Sequence, residues 1–210
     1  MTGAAHDCHD ICALLLAGGR GQRMGGQDKG LLNLSGYPLV IHALKKIRPQ
    51  VTEVLLSANR NHGLYRDWGF SVIPDKEEYL GAGPLAGLYA GLTHATSSLV
   101  LSLPCDSPFF PDTLPYRLSR ALSTQDAEIA FPVSDGHSHQ AFLLCRTNLK
   151  DSLKKYLDSG QRHVLGWVQS HRYVKVRFTN GDDFLNINTP EDLARAETRY
   201  AEKSIQCTGP

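Results

Sequence analysis

Apolar residues along the chain alternate between short continuous runs and segments in which they recur at helical spacing. The continuous runs have the length and composition of strands that are covered on both faces of a sheet. The helical segments open at or near a proline, which suits the first turn of a helix. Strands are predicted at 11–17, 53–58, 70–75 and 98–104, and helices at 38–47, 84–95 and 111–122. This alternation predicts right-handed crossovers and a mostly parallel sheet with helices on both faces.

The second half of the chain predicts a more mixed order of elements. Asp135-Gly136 is a turn signal between two apolar runs, so those runs should form a hairpin. Thr189 can cap the terminal helix, and Asp192 stands where the acidic residue of a capping box belongs. The elements are hairpin strands at 127–132 and 141–146, a helix at 148–160, a strand at 172–178 and, within 184–200, a short strand that runs into the terminal helix.

Composition is that of a soluble globular protein, and we expect one domain over 1–210, with disordered tails at 1–9 and 202–210. A formal charge of +1 argues against a general nucleic-acid or membrane-surface binder, because both need clustered basic surface. No apolar run approaches the length that crosses a bilayer, and the first residues lack the pattern of a secretory signal. Five cysteines without paired spacing are typical of a reducing cytoplasm.

Residues 14–30, LLLAGGRGQRMGGQDKG, follow the first predicted strand directly and carry six glycines and three cations. In an open α/β sheet, ligands bind outside the carboxyl ends of the strands, which is where this segment must lie. Glycines let the backbone approach a ligand closely, while Arg20, Arg23 and Lys29 can bind phosphate oxygens. A flexible loop with solvated cations is the alternative, but the placement favours an anion-binding loop.

Two common phosphate-binding motifs do not fit this segment. A Walker A loop needs Ser or Thr after its Gly-Lys pair, but Lys29 lies between Asp28 and Gly30. A Rossmann fingerprint that begins at Gly19 would need its third glycine where Met24 stands. The loop is therefore of another type.

The run LAGGRGQRMGGQDK resembles the N-terminal motif of nucleotidyltransferases that share a nucleotide-diphospho-sugar-transferase fold. In chain order, the motifs RMGGQDKGLL, SANR, IPD, GPLAGL, LPCDSPF and NINTPEDL resemble more specifically the molybdenum cofactor guanylyltransferases. They span residues 16–193, and their order makes the resemblance specific. It implies a three-layer αβα domain with a mostly parallel, Rossmann-like sheet.

The resemblance implies transfer of GMP from GTP to the terminal phosphate of molybdopterin, with pyrophosphate as the other product. Both reactants are anionic, so charge neutralisation and alignment should dominate, and no covalent enzyme nucleophile is needed. The catalytic residues that it implies are Arg23, Lys29 and Asp106. It also implies a cytoplasmic monomer that passes its product to molybdoenzyme apoproteins or their chaperones.

Asp106 follows an apolar strand at its carboxyl end, where the ligand crevice is expected. A bare carboxylate beside a triphosphate would be repulsive, so this position favours Mg²⁺ between them, with Asp106 as the metal ligand. The alternative is an aspartate that starts a turn, helped by Ser107 and Pro108. The resemblance favours the metal site.

The resemblance also implies the residues that bind the nucleotide and the pterin. They are Leu16, Ala17, Gly18, Gly19, Gly26, Lys29, Ser57, Asp75, Gly83, Gly87, Asp106, Asn186 and Asn188. Gly83 and Gly87 could instead serve helix initiation and packing on the sheet, and Asn188 could instead cap the terminal helix.

The base of the nucleotide stays open, because Ser57 stands where an asparagine is common in the family's pattern. A hydroxyl offers fewer simultaneous hydrogen bonds than an amide, and Asn59 could substitute or could cap a helix. A molybdopterin cytidylyltransferase, a sugar-1-phosphate nucleotidyltransferase and a non-catalytic carrier of molybdopterin or nucleotide are therefore alternatives. Retention of Arg23, Lys29 and Asp106 together argues against the carrier.

Overall fold

The computed structural model describes residues 10–17 and 28–207, with side chains up to residue 202. Its strands are β1 (Ile11–Leu16), β2 (Asn33–Leu34), β3 (Tyr37–Pro38), β4 (Glu53–Ser57), β5 (Ser71–Ile73), β6 (Leu99–Pro104), β7 (Ile129–Ser134), β8 (His137–Ser138), β9 (Leu144–Arg146) and β10 (Tyr173–Arg177). Its helices are α1 (Leu39–Ile47), α2 (His62–Asp67), α3 (Pro84–His94), α4 (Leu114–Thr124), α5 (Lys150–Asp158), α6 (Val164–Val168) and α7 (Pro190–Cys207).

The central sheet carries its strands in the order β10-β7-β9-β6-β1-β4-β5, with β8 paired to β7. The pairs β1–β4, β1–β6, β4–β5 and β7–β10 are parallel, whereas β9 runs antiparallel between β6 and β7. The mostly parallel sheet that the sequence predicts is confirmed. Because β6, β1 and β4 are neighbours, their carboxyl ends meet at one end of the sheet, and the candidate site must form there.

Hydrophobic layers cover both faces of the sheet. In β1, Ile11, Ala13 and Leu15 pack into one layer together with residues of α1, α2 and α4. Cys12 and Leu14 pack into the other layer, with residues of α3, α5 and α6. Successive residues thus change face, as strand geometry requires. The predicted three-layer αβα arrangement is confirmed.

The turn between β7 and β8 is formed by the dipeptide that the sequence singles out. Asp135 and Gly136 have φ values of +49° and +78°. Two successive residues with positive φ are typical of a type I′ turn, whose twist matches that of the flanking strands. The chain then returns as β9, in which Cys145 lies opposite Ile129 of β7. The predicted hairpin is therefore confirmed.

The short strand predicted ahead of the terminal helix is wrong, since residues 185–189 have no regular secondary structure. Ile187 is buried in a small cluster with residues of α7, and its N–H donates to the carbonyl of Asp106 at 2.8 Å. Its neighbours Asn186 and Asn188 are more exposed. One buried residue between two polar ones imitates the alternation of a strand, but no ladder of hydrogen bonds follows.

The predicted capping box at the start of α7 is confirmed. Thr189 Oγ1 accepts from the Asp192 N–H at 3.2 Å, and Asp192 Oδ2 accepts from the N–H groups of Asn188 and Thr189, each at 3.0 Å. The helix continues to Cys207, into the segment 202–210 for which the sequence predicts a tail. Neither glycine nor proline interrupts residues 191–207, so no residue in that stretch forces an earlier end.

The sequence pattern does not predict the two shortest helices. Helix α2 has six residues and α6 has five, and each contains a glycine, Gly63 and Gly166. Such segments are too short for apolar residues to establish a helical period. Within the described ranges, none of the helices is both long and apolar enough to cross a membrane.

Gly91 and Gly63 offer a pair of helix substitutions with opposite expected effects. A Cβ on Gly91, in α3, would lie 2.5 Å from Leu14 Cδ2, whereas one on Gly63, in α2, would meet nothing within 4 Å. We expect Gly91→Ala to destabilise the fold by about 1–3 kcal/mol through overpacking. Gly63→Ala should stabilise it by roughly 0.5–1 kcal/mol, because alanine is the better helix former. Denaturant unfolding measures both, and a stabilised Gly91→Ala protein would contradict the close packing of α3 on β1.

Asp192 should make folding stability depend on pH. A hydrogen bond from Arg195, together with the backbone N–H groups that it caps, lowers the pKa of Asp192 below its ordinary value. A lowered pKa in the folded state means that the carboxylate stabilises the fold above its unfolded pKa of about 3.9 and that this contribution is lost as the pH falls. We expect Asp192→Ala to cost about 1 kcal/mol at neutral pH and progressively less below about pH 4. Urea unfolding across this range measures the loss, with exposed Glu191→Ala as the control. A cost that does not change with pH would contradict the assignment.

Candidate functional site

The candidate site lies where β1, β4 and β6 end. The Ala17 N–H donates to the Ser57 carbonyl at 2.9 Å, and the Cys105 N–H donates to the Leu16 carbonyl at 3.2 Å. The ends of the three strands are therefore fixed relative to one another. Leu16 and Ala17, which the sequence predicts as nucleotide contacts, lie in the middle of this arrangement.

Lys29 joins three segments that are distant in sequence. Its ammonium donates to Asp106 Oδ2 at 2.8 Å, beyond the end of β6, and to Asn188 Oδ1, ahead of α7. The side chains of Lys29 and Asp106 are only 21% and 13% exposed, so solvent screens their attraction less than at an open surface. The structure thus brings together three residues that the sequence predicts for catalysis or binding.

The ion pair bears on the predicted metal site at Asp106. That prediction assumes an unpaired carboxylate, but Lys29 neutralises Asp106 in the described structure. Among the residues described, no group of three or more His, Cys, Asp or Glu side chains could hold a metal ion. Mg²⁺ is nevertheless commonly bound by one or two carboxylates together with substrate phosphates and water. The donors among the described residues therefore fit a metal that arrives with the triphosphate and do not by themselves form a complete metal site.

Asn186 is held by a residue that the sequence indicates only as part of a turn. The Ser107 hydroxyl donates to Asn186 Oδ1, and the adjacent Ile187 N–H donates to the Asp106 carbonyl. The loop after β6 and the segment before α7 are therefore attached through both side chain and backbone. Asn188 does not cap α7, because Thr189 fills that role and Asn188 accepts from Lys29 instead.

Asp28 and Asn61 belong to the site but are missing from the residues predicted for it. Asp28 is buried, and its Oδ1 accepts from the Gly30 N–H at 3.1 Å. Its Oδ2 accepts from Asn61 Nδ2, at the start of α2, at 2.9 Å. The signal for Asp28 is its place beside Lys29 in the motif, whereas Asn61 carries no sequence signal because α2 itself is not predicted.

Ser57, Asp75 and Asn59 form a second cluster of polar side chains. Ser57 donates to Asp75 Oδ1 at 3.1 Å, and Asn59 Nδ2 donates to Asp75 Oδ2 at 2.7 Å. Asn59 Oδ1 in turn accepts from the Asp75 N–H at 2.9 Å. Asn59 is therefore the partner of Asp75, and the helix cap that its context also allows is not formed. The three side chains lie at or just beyond the carboxyl ends of β4 and β5, and the binding of a ligand by Ser57 and Asp75 stays a prediction.

Gly83 and Gly87 have different structural reasons for being glycine. Gly83 precedes α3 with φ of +70° and ψ of −152°, a conformation that side chains strongly disfavour. A Cβ on Gly87 would lie 2.7 Å from both Leu16 Cδ2 and Ser57 Oγ. The packing that the sequence offers as the alternative for Gly87 is therefore present, and ligand contact by either glycine stays a prediction.

Five residues that the sequence predicts for the site, Gly18, Gly19, Arg20, Arg23 and Gly26, lie outside the described residues, so their roles stay predictions. The described part of the site begins again at Asp28, immediately after that segment.

The cysteine beside Asp106 is not a reactive thiol. Cys105 is buried, and burial together with the charge of Asp106 raises the pKa of its thiol well above the ordinary value. A thiol that stays protonated is a poor nucleophile. Among the cysteines whose side chains the structure describes, Cys12, Cys105 and Cys145 are free and buried.

Comparisons with known proteins extend this description. A family model described as the MobA-like NTP transferase domain matches residues 13–174. A molybdenum cofactor guanylyltransferase of Cupriavidus metallidurans is 44% identical over 194 residues, which cover 90% of this chain and 95% of that protein. One from Shewanella piezotolerans is 42% identical over 202 residues, which cover 94% of this chain and 98% of that protein.

Solved structures agree on the fold. Molybdopterin-guanine dinucleotide biosynthesis protein A from Archaeoglobus fulgidus superposes with a TM-score of 0.78 at 23% identity, covering 91% of this chain and 99% of that chain. The 4-diphosphocytidyl-2C-methyl-D-erythritol synthase from Anaerococcus prevotii gives a TM-score of 0.72 at 15% identity, covering 93% and 100%. At such identities the solved structures show the fold alone, whereas the family model and the sequence relatives show the family. The family model and these relatives show that this chain belongs to the molybdenum cofactor guanylyltransferases, nucleotidyltransferases that carry the MobA-like NTP transferase domain.

Proposed function

We propose that this protein transfers GMP from GTP to the terminal phosphate of molybdopterin and releases pyrophosphate. Membership of the family supports the reaction class. The observation that carries the proposal is the contact of Lys29 with both Asp106 and Asn188, because the resemblance assigns Asp106 to the nucleotide and Asn188 to the pterin. A reaction between two bound anions needs such a junction, where positive charge lies between the substrates.

Lys29 would stabilise the charge that develops around the α-phosphate during transfer. Its contacts with Asp106 and Asn188 place the ammonium where the phosphates are expected to meet, so only its bonding partner has to change when the phosphate arrives. Arg23, from the glycine-rich loop, would bind phosphate oxygens in the same region. Asp106 would hold Mg²⁺ against the triphosphate, and the bound metal would supply further charge neutralisation.

Asn186 and Asn188 would bind the pterin substrate. A lysine ammonium can only donate hydrogen bonds, so the side chain of Asn188 must turn its carbonyl oxygen toward Lys29. Its NH₂ group is then the part that can contact a ligand. Asn188 would therefore recognise an acceptor, such as a phosphate oxygen or a pterin carbonyl.

The cellular setting follows from the same proposal. The protein would act as a monomer in the cytoplasm and pass its product to molybdoenzyme apoproteins or their chaperones. The buried free thiols of Cys12, Cys105 and Cys145 support a reducing compartment.

Guanine would be read near the cluster of Ser57, Asn59 and Asp75. Guanine presents N1–H and N2–H₂ donors, which a carboxylate can accept, whereas cytosine has no ring N–H beside its amino group. Asn59 supplies the amide that Ser57 lacks, and it is held against Asp75 by two hydrogen bonds. This arrangement supports GTP over CTP.

The test is pyrophosphate release by the purified protein with molybdopterin and Mg²⁺, comparing GTP, CTP, ATP and UTP. We expect release with GTP alone. Release with CTP would keep the chemistry and overturn the base assignment. No release with any of the four would favour a sugar-phosphate substrate or a carrier, and a sugar-1-phosphate added in place of molybdopterin separates those two.

Asp106→Ala should separate catalysis from binding. The substitution removes the metal ligand and leaves the Lys29 ammonium without its carboxylate partner. We expect kcat to fall by about a hundredfold or more, with KM for GTP unchanged or lower, because the freed ammonium still attracts phosphate. Steady-state kinetics at several Mg²⁺ concentrations measure both.

Asp112→Ala is the matched control. Asp112 also forms an ion pair with a lysine, Lys46, but its side chain is 80% exposed. It should leave both kinetic constants unchanged. If Asp106→Ala behaved like this control, neither the metal nor the charge assignment would stand.

A further inference from the structure

We propose that Asp28, together with Asn61, is a positioning residue that holds Lys29 beside Asp106 and Asn188. The role of Lys29 in turnover rests on the proposed function, but the positioning can be measured without turnover. Asp28 is a carboxylate with 6% of its residue surface exposed, directly before the lysine. A buried carboxylate is costly unless donors surround it, so its contacts need an explanation beyond the local turn.

Both oxygens of Asp28 are used, and each binds a different segment. Oδ1 accepts from the Gly30 N–H at 3.1 Å and caps the short 3₁₀ helix Lys29–Leu31. Oδ2 accepts from Asn61 Nδ2 at 2.9 Å. One carboxylate therefore shapes the turn that carries Lys29 and attaches this turn to the start of α2.

The side chain of Asn61 makes this contact instead of capping α2. It precedes α2 in the left-handed region, with φ of +54°, and its side chain makes no capping hydrogen bond to the helix. Asparagine at a helix start ordinarily caps the helix, and here that stabilisation is absent. The side chain instead donates to Asp28, which ties α2 to the lysine turn.

Tyr65 limits the turn on the same side. It lies in α2, is fully buried, and its hydroxyl would be 2.6 Å from a Cβ placed on Gly30. The turn thus lies against α2 and has no space to move toward it. Burial and the nearby charge of Asp28 raise the pKa of Tyr65, so the ring stays neutral beside the carboxylate.

The position of Lys29 follows from these restraints. A lysine side chain has four rotatable carbon–carbon bonds and loses considerable entropy when it is held in one place. Its backbone is fixed by Asp28 before it and by the bonded Gly30 after it, so only the side chain remains to be ordered by Asp106 and Asn188. Loss of the Asp28–Asn61 contact should release the turn and move the ammonium.

The experiment exchanges the two partners. Asp28→Ala removes both contacts, and Asn61→Asp sets a carboxylate against a carboxylate without adding backbone strain, because aspartate also tolerates positive φ. The double variant D28N/N61D restores the pair with reversed roles, since the amide introduced at position 28 could accept from the Gly30 N–H and donate to the carboxylate introduced at position 61. Asp10→Ala is the control, because Asp10 bridges Thr52 and Ser98 at the opposite end of the sheet.

The first readout is acetylation of Lys29 by a limiting dose of acetic anhydride, followed by peptide mass spectrometry. Lys154, which is paired with Asp158 on α5, serves as the internal reference. We expect Lys29 to react about threefold faster or more in both single variants and to return close to the wild-type rate in the double variant. Unchanged labelling in the single variants, or no recovery in the double variant, would overturn the proposal.

The second readout is kinetic. Per nucleotide-binding site, kcat should fall about tenfold or more in each single variant and recover to within about threefold of wild type in D28N/N61D. Asp10→Ala should alter stability alone. Labelling that follows the exchange while the wild-type protein releases no pyrophosphate would refute the proposed function and leave the positioning intact. Recovery of labelling without recovery of kcat in an active enzyme would show that Lys29 is positioned by Asp28 but does not act in turnover.

Discussion

The contact of Lys29 with Asp106 and Asn188 is the interaction on which the site depends. It connects three segments: the turn after the glycine-rich loop, the loop after β6 and the segment before α7. The loop after β6 and the segment before α7 are also joined by a backbone hydrogen bond from Ile187 to Asp106, whereas the turn that carries Lys29 contacts both through the lysine side chain. A partly buried ammonium is well suited to this task, because it can donate to several oxygens at once and its removal leaves a carboxylate uncompensated.

The sheet makes this contact possible. Parallel pairing of β1 with both β4 and β6 places three strand ends within reach of one ligand, and the backbone bonds from Ala17 and Cys105 keep them there. Gly87 allows α3 to pack directly against Leu16 and Ser57, which brings the start of a helix to the same place. Packing of the core therefore determines where the polar groups stand, and the polar groups need only adjust locally.

Much of the fold and of the candidate site could be predicted from the sequence, and the exceptions have physical reasons. The apolar runs of β1 and β6 and the position of Asp106 at a strand end place this residue in the crevice without knowledge of its partners. That Lys29 would pair with Asp106 could not be predicted, because 77 residues separate them and no local pattern encodes a contact across the sheet. Asn61 was beyond prediction for the same reason, and helix α2 is too short to establish a period. The short strand before α7 fails because alternation alone does not supply a pairing partner.

The pairing of Lys29 with Asp106 also constrains how the nucleotide enters. In the described structure the Lys29 ammonium is neutralised by the Asp106 carboxylate, so the site presents less positive charge than the sequence implies. If Asp106 holds Mg²⁺ together with the triphosphate, as proposed, its carboxylate would turn from Lys29 to the cation, and the lysine ammonium would be free to donate to the phosphate. The two charges would then separate without either becoming unpaired, which would lower the cost of breaking a partly buried ion pair. A nucleotide without a metal would have to compete with Asp106 for the lysine, so under the proposed function the ion pair would favour the metal-bound form of the substrate.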